Sequence, residues 1–111
     1  MADVMADRRG ADRYPLILAA EITELGGSMV LNGRSSDVSR SGCYIDMLNP
    51  MPVGSLVQVR LRHGDTLFHS PARVMYVCPG LGMGLMFNKD LHETQLAILD
   101  RWLSAAAAIS R

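Results

Sequence analysis

From Leu56 to Arg62 the chain alternates cleanly: Val57, Val59 and Leu61 fall on one side, Gln58, Arg60 and Arg62 on the other. A period of two is the mark of a strand with one face buried. The same period runs through Cys43 to Leu48, where Cys43, Ile45 and Met47 alternate with Tyr44 and Asp46. It returns at Met83, Leu85 and Phe87. Thr66 to Val77 reads as one long strand with Phe68, Ala72, Val74 and Tyr76 on one face. Pro71 inside it predicts an edge, a bulge or a bend, because proline donates no ladder hydrogen bond. Leu16 to Glu24 is apolar, carries β-branched residues and is too short for a secure helix, so it is read as a strand. Ser28 to Leu31 is read as a second short one.

Between these runs the punctuation is strong. Gly26-Gly27, Asn32-Gly33, His63-Gly64-Asp65 and Cys78-Pro79-Gly80-Leu81-Gly82 are turn signals, Asn32-Gly33 favouring positive φ. Asn49 to Gly54 holds two prolines and predicts a loop. After the last strand the period changes. Leu91, Ile98, Leu99, Trp102 and Leu103 share one face of a helix over about 90–108, with Glu93, Asp100 and Arg101 opposite. Asp90 is the expected N-cap, with Glu93 as its capping-box partner. Short strands joined by Gly/Pro turns predict a small antiparallel barrel or sandwich, and a barrel would hide its edges.

With 111 residues, nearly half of them apolar, the chain is one folded domain. Its formal net charge is zero, which argues against a nucleic-acid polymer as partner. Aromatics at 5% argue against a single-strand stacking groove as well. An anion site would have to be local. The cations are arginines, with Lys89 the single lysine, and arginine suits bidentate contact with phosphate and guanine. Met1 to Gly10 has no apolar leader, and no run approaches the ~20 residues of a membrane span. Cys43 and Cys78 are too few and too far apart for a metal site or disulfide framework, so the expected compartment is the cytoplasm.

Two motifs supply candidate chemistry. Arg9-Gly10-Ala11-Asp12-Arg13 has the form R-x-x-x-R and is preceded by Arg8. Asp37-Val38-Ser39-Arg40-Ser41-Gly42 has the form D-x-S-x-x-G. In a chain of this composition the first pattern arises by chance about once, the second only about 0.05 times. A carboxylate at Asp37 can accept from the N1 and N2 edge of guanine, a donor pair no other common base presents. Read locally, Asp37 and Ser39 could instead bond their own backbone in a turn, and Gly42 could serve a bulge.

In this order, with the closing run Gly82-Met83-Gly84-Leu85-Met86-Phe87, the two motifs resemble the PilZ family of bacterial cyclic di-GMP receptors. The resemblance implies a mainly β fold: a six-stranded antiparallel barrel with a C-terminal helix, over residues 14–111. Residues 1–13 would be a flexible arm carrying the arginines. It implies a non-catalytic receptor whose ligand is cyclic di-GMP, with no cofactor and no metal. Asp37 and Ser39 would read guanine, Arg9 and Arg13 would hold phosphate and stack, and Gly42 would allow close backbone approach. Arg8 would add a third contact, of the kind that lets family members hold an intercalated ligand pair. An effector protein is the expected partner, in motility, exopolysaccharide synthesis or attachment. The competing expectation is an adaptor of the same fold that binds protein without nucleotide.

Other signals are weaker. Gly80, Gly82 and Gly84 do not make G-x-G-x-x-G. His63, His69 and His92 form no close ligand pair. The eight methionines read as core filler and Trp102 as a core anchor. No catalytic set can be assigned.

Overall fold

The cleanly alternating segment is strand β5 (Leu56–His63), and Val57, Val59 and Leu61 are fully buried, as their period predicts. It turns through Gly64, at φ 60°, and Asp65 into β6 (Thr66–Cys78), with His63 opposite Thr66. The computed structural model describes residues 12–109. The remaining strands are β1 (Tyr14–Pro15), β2 (Ala19–Glu24), β3 (Val30–Val38), β4 (Gly42–Asp46) and β7 (Gly82–Phe87). Helix α1 (Glu93–Ile109) follows them. The order β3-β2-β5-β6-β7-β4 closes on itself through the β3–β4 pairing, antiparallel throughout. The result is a six-stranded barrel, with β1 added on β3 beyond the end of β2.

Ile22, Ile45, Leu61, Phe68, Met83 and Val74 fill the barrel interior. The helix lays Leu99, Trp102, Leu103 and Ala106 against it. Trp102 lies 6.3 Å from the ring of Phe68 and 6.0 Å from that of His63, so the face predicted for α1 is the one it buries. Burying each such side chain contributes about 1.5–3 kcal/mol. The helix also covers an exposed sheet edge. Where β7 has ended, the His69 N–H of β6 donates to the Gln95 side-chain oxygen of α1 at 2.9 Å. Pro71 lies just past the last β7 partner, Phe87 opposite Ala72, and its carbonyl accepts from Asn88 N–H at 2.9 Å.

Four local expectations are corrected. Of the strand expected over Leu16 to Glu24 only Ala19–Glu24 forms, as β2; Leu16 to Leu18 separate it from β1, because the Ser35 hydroxyl bonds their backbone. It accepts from Leu18 N–H at 3.0 Å and donates to the Leu16 carbonyl at 2.6 Å. Asn32-Gly33 makes no turn; β3 runs straight through it, paired there with β2 and from Arg34 onward with β4 as well. Gly33 is needed there for its missing side chain, since a Cβ would come within 2.9 Å of the Asp46 carbonyl. The turn lies earlier, at Gly26 with φ 84°. Tyr76 does not join Phe68 and Val74 inside but is 41% exposed, because a register shift between Val74 and Tyr76 reverses the phase of β6. The helix N-cap is His92, not Asp90. The His92 carbonyl accepts from Leu96 N–H, and its Nδ1 accepts from Thr94 N–H at 3.1 Å.

Candidate functional site

Ser39, Arg40 and Ser41 form the connection between β3 and β4, with Asp37 at the end of one strand and Gly42 opening the other. Ser39 is buried, and its hydroxyl closes the turn. It accepts from Gly42 N–H at 3.1 Å and from Ser41 N–H at 3.2 Å, while lying 3.2 Å from the Gly42 carbonyl and the Ser41 hydroxyl. Ser39 N–H also donates to the Gly42 carbonyl at 2.8 Å. Two acceptor sites and one donor are a hydroxyl's whole capacity, so Ser39 is saturated within its own turn. Gly42 serves a close approach as well, but to β7: a Cβ there would collide with the Leu85 carbonyl oxygen.

Asp37 faces outward because of a bulge. The register between β3 and β4 shifts between Ser35 and Asp37. Ser35 is inside, and an uninterrupted period of two would have put Asp37 inside too. The shift turns its carboxylate to the surface, where its side chain is 33% exposed. There it meets Arg13, whose Nη1 lies 3.4 Å from Asp37 Oδ1 and 3.4 Å from the Tyr76 hydroxyl. Arg13 is carried there by β1, where Tyr14 pairs with Val38 and Pro15 with Asp37. The Tyr76 hydroxyl, and then the Asp37 carboxylate, hold the guanidinium above its ordinary pKa against some desolvation, so it stays charged.

Asp37 is also the register partner of Tyr44, Tyr44 of Gly84, and Gly84 of Tyr76. One row across four strands therefore carries a carboxylate and two phenols. The Tyr44 and Tyr76 rings stack at 6.1 Å with 29° between their planes. They lie over two glycines: a Cβ on Gly82 would meet the Tyr44 ring, and one on Gly84 the Tyr76 ring. Both tyrosines and both glycines were missed as site residues. The only sequence signal was Gly82-x-Gly84 within an otherwise apolar strand, where glycine marks the close approach of something else. Beneath the row, Cys43 is fully buried, and burial pushes its thiol pKa well up, so it stays neutral and inert.

Of the residues expected in the site, the fold unites Arg13 with Asp37 and sets Ser39 and Gly42 in the turn beside them. Arg8 and Arg9 lie outside the described residues. The face is open. A groove of about 400 Å³ beside it runs between Asp12, Tyr14, Arg40 and α1, but Arg13, Asp37, Tyr44 and Tyr76 do not line it. A positive group, a carboxylate and flat aromatic faces together suit a planar, anionic ligand that presents paired N–H donors.

Comparison with known proteins bears on this arrangement. The family model described as PilZ domain matches residues 7–105. No curated protein sequence matches. Among solved structures the chain is similar to the PilZ domain of CeSA from a cellulose-synthesising bacterium, at 20% identity and a TM-score of 0.66 over 90% of this chain and 99% of that one. It is similar to the PilZ domain with c-di-GMP of YcgR from Escherichia coli, at 19% identity and a TM-score of 0.70, covering 94% and 95%. It is similar to the Bacillus subtilis inhibitor of motility MotI/DgrA, at 16% identity and a TM-score of 0.75, covering 94% of this chain and 54% of that one. The chain thus spans about half of MotI and nearly all of the two separate domains. At these identities the likeness establishes the fold.

Proposed function

The chain belongs to the PilZ domain family, and from that premise we propose that it is a non-catalytic receptor for cyclic di-GMP. The observation that carries the reading is the Arg13 guanidinium held against Asp37, 3.4 Å away. It joins the arginine motif to the D-x-S-x-x-G motif across 24 residues of sequence. The similar YcgR domain was solved with c-di-GMP, which supports the same ligand class here.

In this reading the Asp37 carboxylate accepts the N1–H and N2–H of one guanine, and Arg13 releases it to take phosphate and the face of the base. Arg9 shares the phosphate, and Arg8 adds a third contact. Ser39 and Gly42 hold the turn that presents Asp37; a direct contact from Ser39 would replace one of its turn hydrogen bonds. The segment that carries Arg8 and Arg9 closes over ligand resting on the open face, and the new surface is what an effector protein reads. Ligand energy drives that step only so far as the two states bind it differently.

Isothermal titration with cyclic di-GMP tests this, beside Arg9→Ala, Arg13→Ala and Asp37→Ala. Each lost charge-assisted or bidentate contact costs about 1–3 kcal/mol, so each variant binds roughly tenfold to a hundredfold more weakly. If Arg8 makes its contact, the ratio approaches about two ligands per chain, and a ratio of one removes that role. The second reading is an adaptor that uses no nucleotide. It is favoured by one observation: Asp37 and Ser39 already have partners within the chain. An absence of heat at high ligand would select it.

A further inference from the structure

Resting on the receptor reading above, we propose that Tyr76 is a positioning residue for Arg13, and that Gly84 is the gap that lets it act. Neither residue belongs to the two motifs. The fold spends a bulge on Tyr76: the register shift after Val74 turns a side chain that would have faced the core onto the outer surface. There its hydroxyl stands 3.4 Å from Arg13 Nη1.

Arg13 and an arriving guanine compete for Asp37. Asp37 also holds Arg13, but Asp37 is the group a guanine needs. An arginine anchored on Asp37 alone would lose its anchor as the base arrived. The Tyr76 hydroxyl is a neutral acceptor across the row from Asp37, so it can keep Arg13 at the face while the carboxylate changes partner. A guanidinium kept in place gives up less rotamer freedom when it captures phosphate, and preorganisation of that kind appears as affinity.

The geometry fixes the hydroxyl from below and from the side. Tyr76 is the register partner of Gly84, and its ring lies where the missing Cβ would stand. Tyr44 stacks beside it at 6.1 Å. With alanine at position 84 the ring would have to swing away. Tyr76 is a partly exposed side chain and can do so without disturbing the strands. Gly82-x-Gly84 then has a purpose beyond a turn: it makes room for two flat rings, one of which ends at Arg13.

The test uses the full chain and has two arms. In the ligand-free protein, nitrogen-15 relaxation of the Arg13 Nε–H reports how tightly the side chain is held. Tyr76→Phe and Gly84→Ala should both make it more mobile, with thermal midpoints close to the parent. In titrations with cyclic di-GMP, each should weaken binding by about three- to tenfold, the cost of ordering one long side chain on binding. On an Arg13→Ala background Tyr76→Phe should cost nothing further. Equal Arg13 mobility in parent and Tyr76→Phe would overturn the proposal, and so would an undiminished effect of Tyr76→Phe without Arg13. If the parent bound no ligand while Arg13 still depended on Tyr76, the receptor reading would fail and the Tyr76–Arg13 contact would stand.

Discussion

Tyr44 and Tyr76 carry most of what a reading of single residues missed. Asp37 and Arg13 were legible because their motif spacing is rare and their chemistry is distinctive. Tyr76 was not, because a period of two assigns it to the core and nothing in Val74-Met75-Tyr76 announces a bulge. Tyr44 alternates correctly to the outside, yet alternation alone does not show what it will meet. Its environment makes a prediction. The Cys78 side chain beside it, followed by some desolvation, pushes the Tyr44 hydroxyl up to about 12 from 10.0. A folded-state value above the unfolded one means a stabilising contribution that is present below pH 10 and lost as pH rises through about 12. Tyrosine-ring NMR titration should therefore show Tyr44 ionising late, at about 12. Cys78→Ala should bring it back toward its ordinary value. Tyr44 ionising near 10.0 in the parent would contradict the contact.

At the scale of elements, local signals were reliable where the sheet agreed with them. β5 alternates and is flanked by turns, and it folds as its pattern requires. Asn32-Gly33 is as strong a turn signal as the chain contains, yet it lies within β3 because β2 pairs across it, Asn32 with Glu21 and Gly33 with Ala20, and β4 takes up the strand from Arg34. The helix start moved for a related reason: His92 offers a ring nitrogen that closes the N-terminus without Asp90. The central turn, by contrast, is held by its own chemistry. Ser39→Ala would leave the amides of Ser41 and Gly42 without their acceptor, which costs about 1–2 kcal/mol. Gly42→Ala would drive a Cβ into the Leu85 carbonyl, a backbone atom that cannot step aside. Its cost should reach the upper end of the about 1–3 kcal/mol seen for overpacked sites. Urea unfolding of the two variants checks the order, and a harmless Gly42→Ala would mean that β4 and β7 lie further apart than described. The Arg40–Asp100 pair at 2.9 Å ties the same turn to α1. Both partners are about half exposed, so it contributes no more than about 1 kcal/mol.

Across the whole molecule, the barrel and its helix could be read from alternation, turn residues and one change of period. The strand order could not, because alternation says which face is buried and not which strand lies beside which. Closure depends on β3 having partners on both edges, which follows from register and not from propensity. The candidate face is likewise a product of the whole: Arg13 from just before β1, Asp37 from β3, Tyr44 from β4 and Tyr76 from β6 meet only when the ring is complete. The proposed mechanism has cyclic di-GMP bind on this face and draw the arginine segment over it. Hydrogen exchange along the full chain, with and without cyclic di-GMP, tests that most directly. Binding there should add protection in residues 1–15 together with the turn at 39–42 and the strand segment around Tyr76. Unchanged exchange at saturating ligand, or protection confined to a separate groove lined by Leu25, Leu56, Met86 and Lys89, would contradict it.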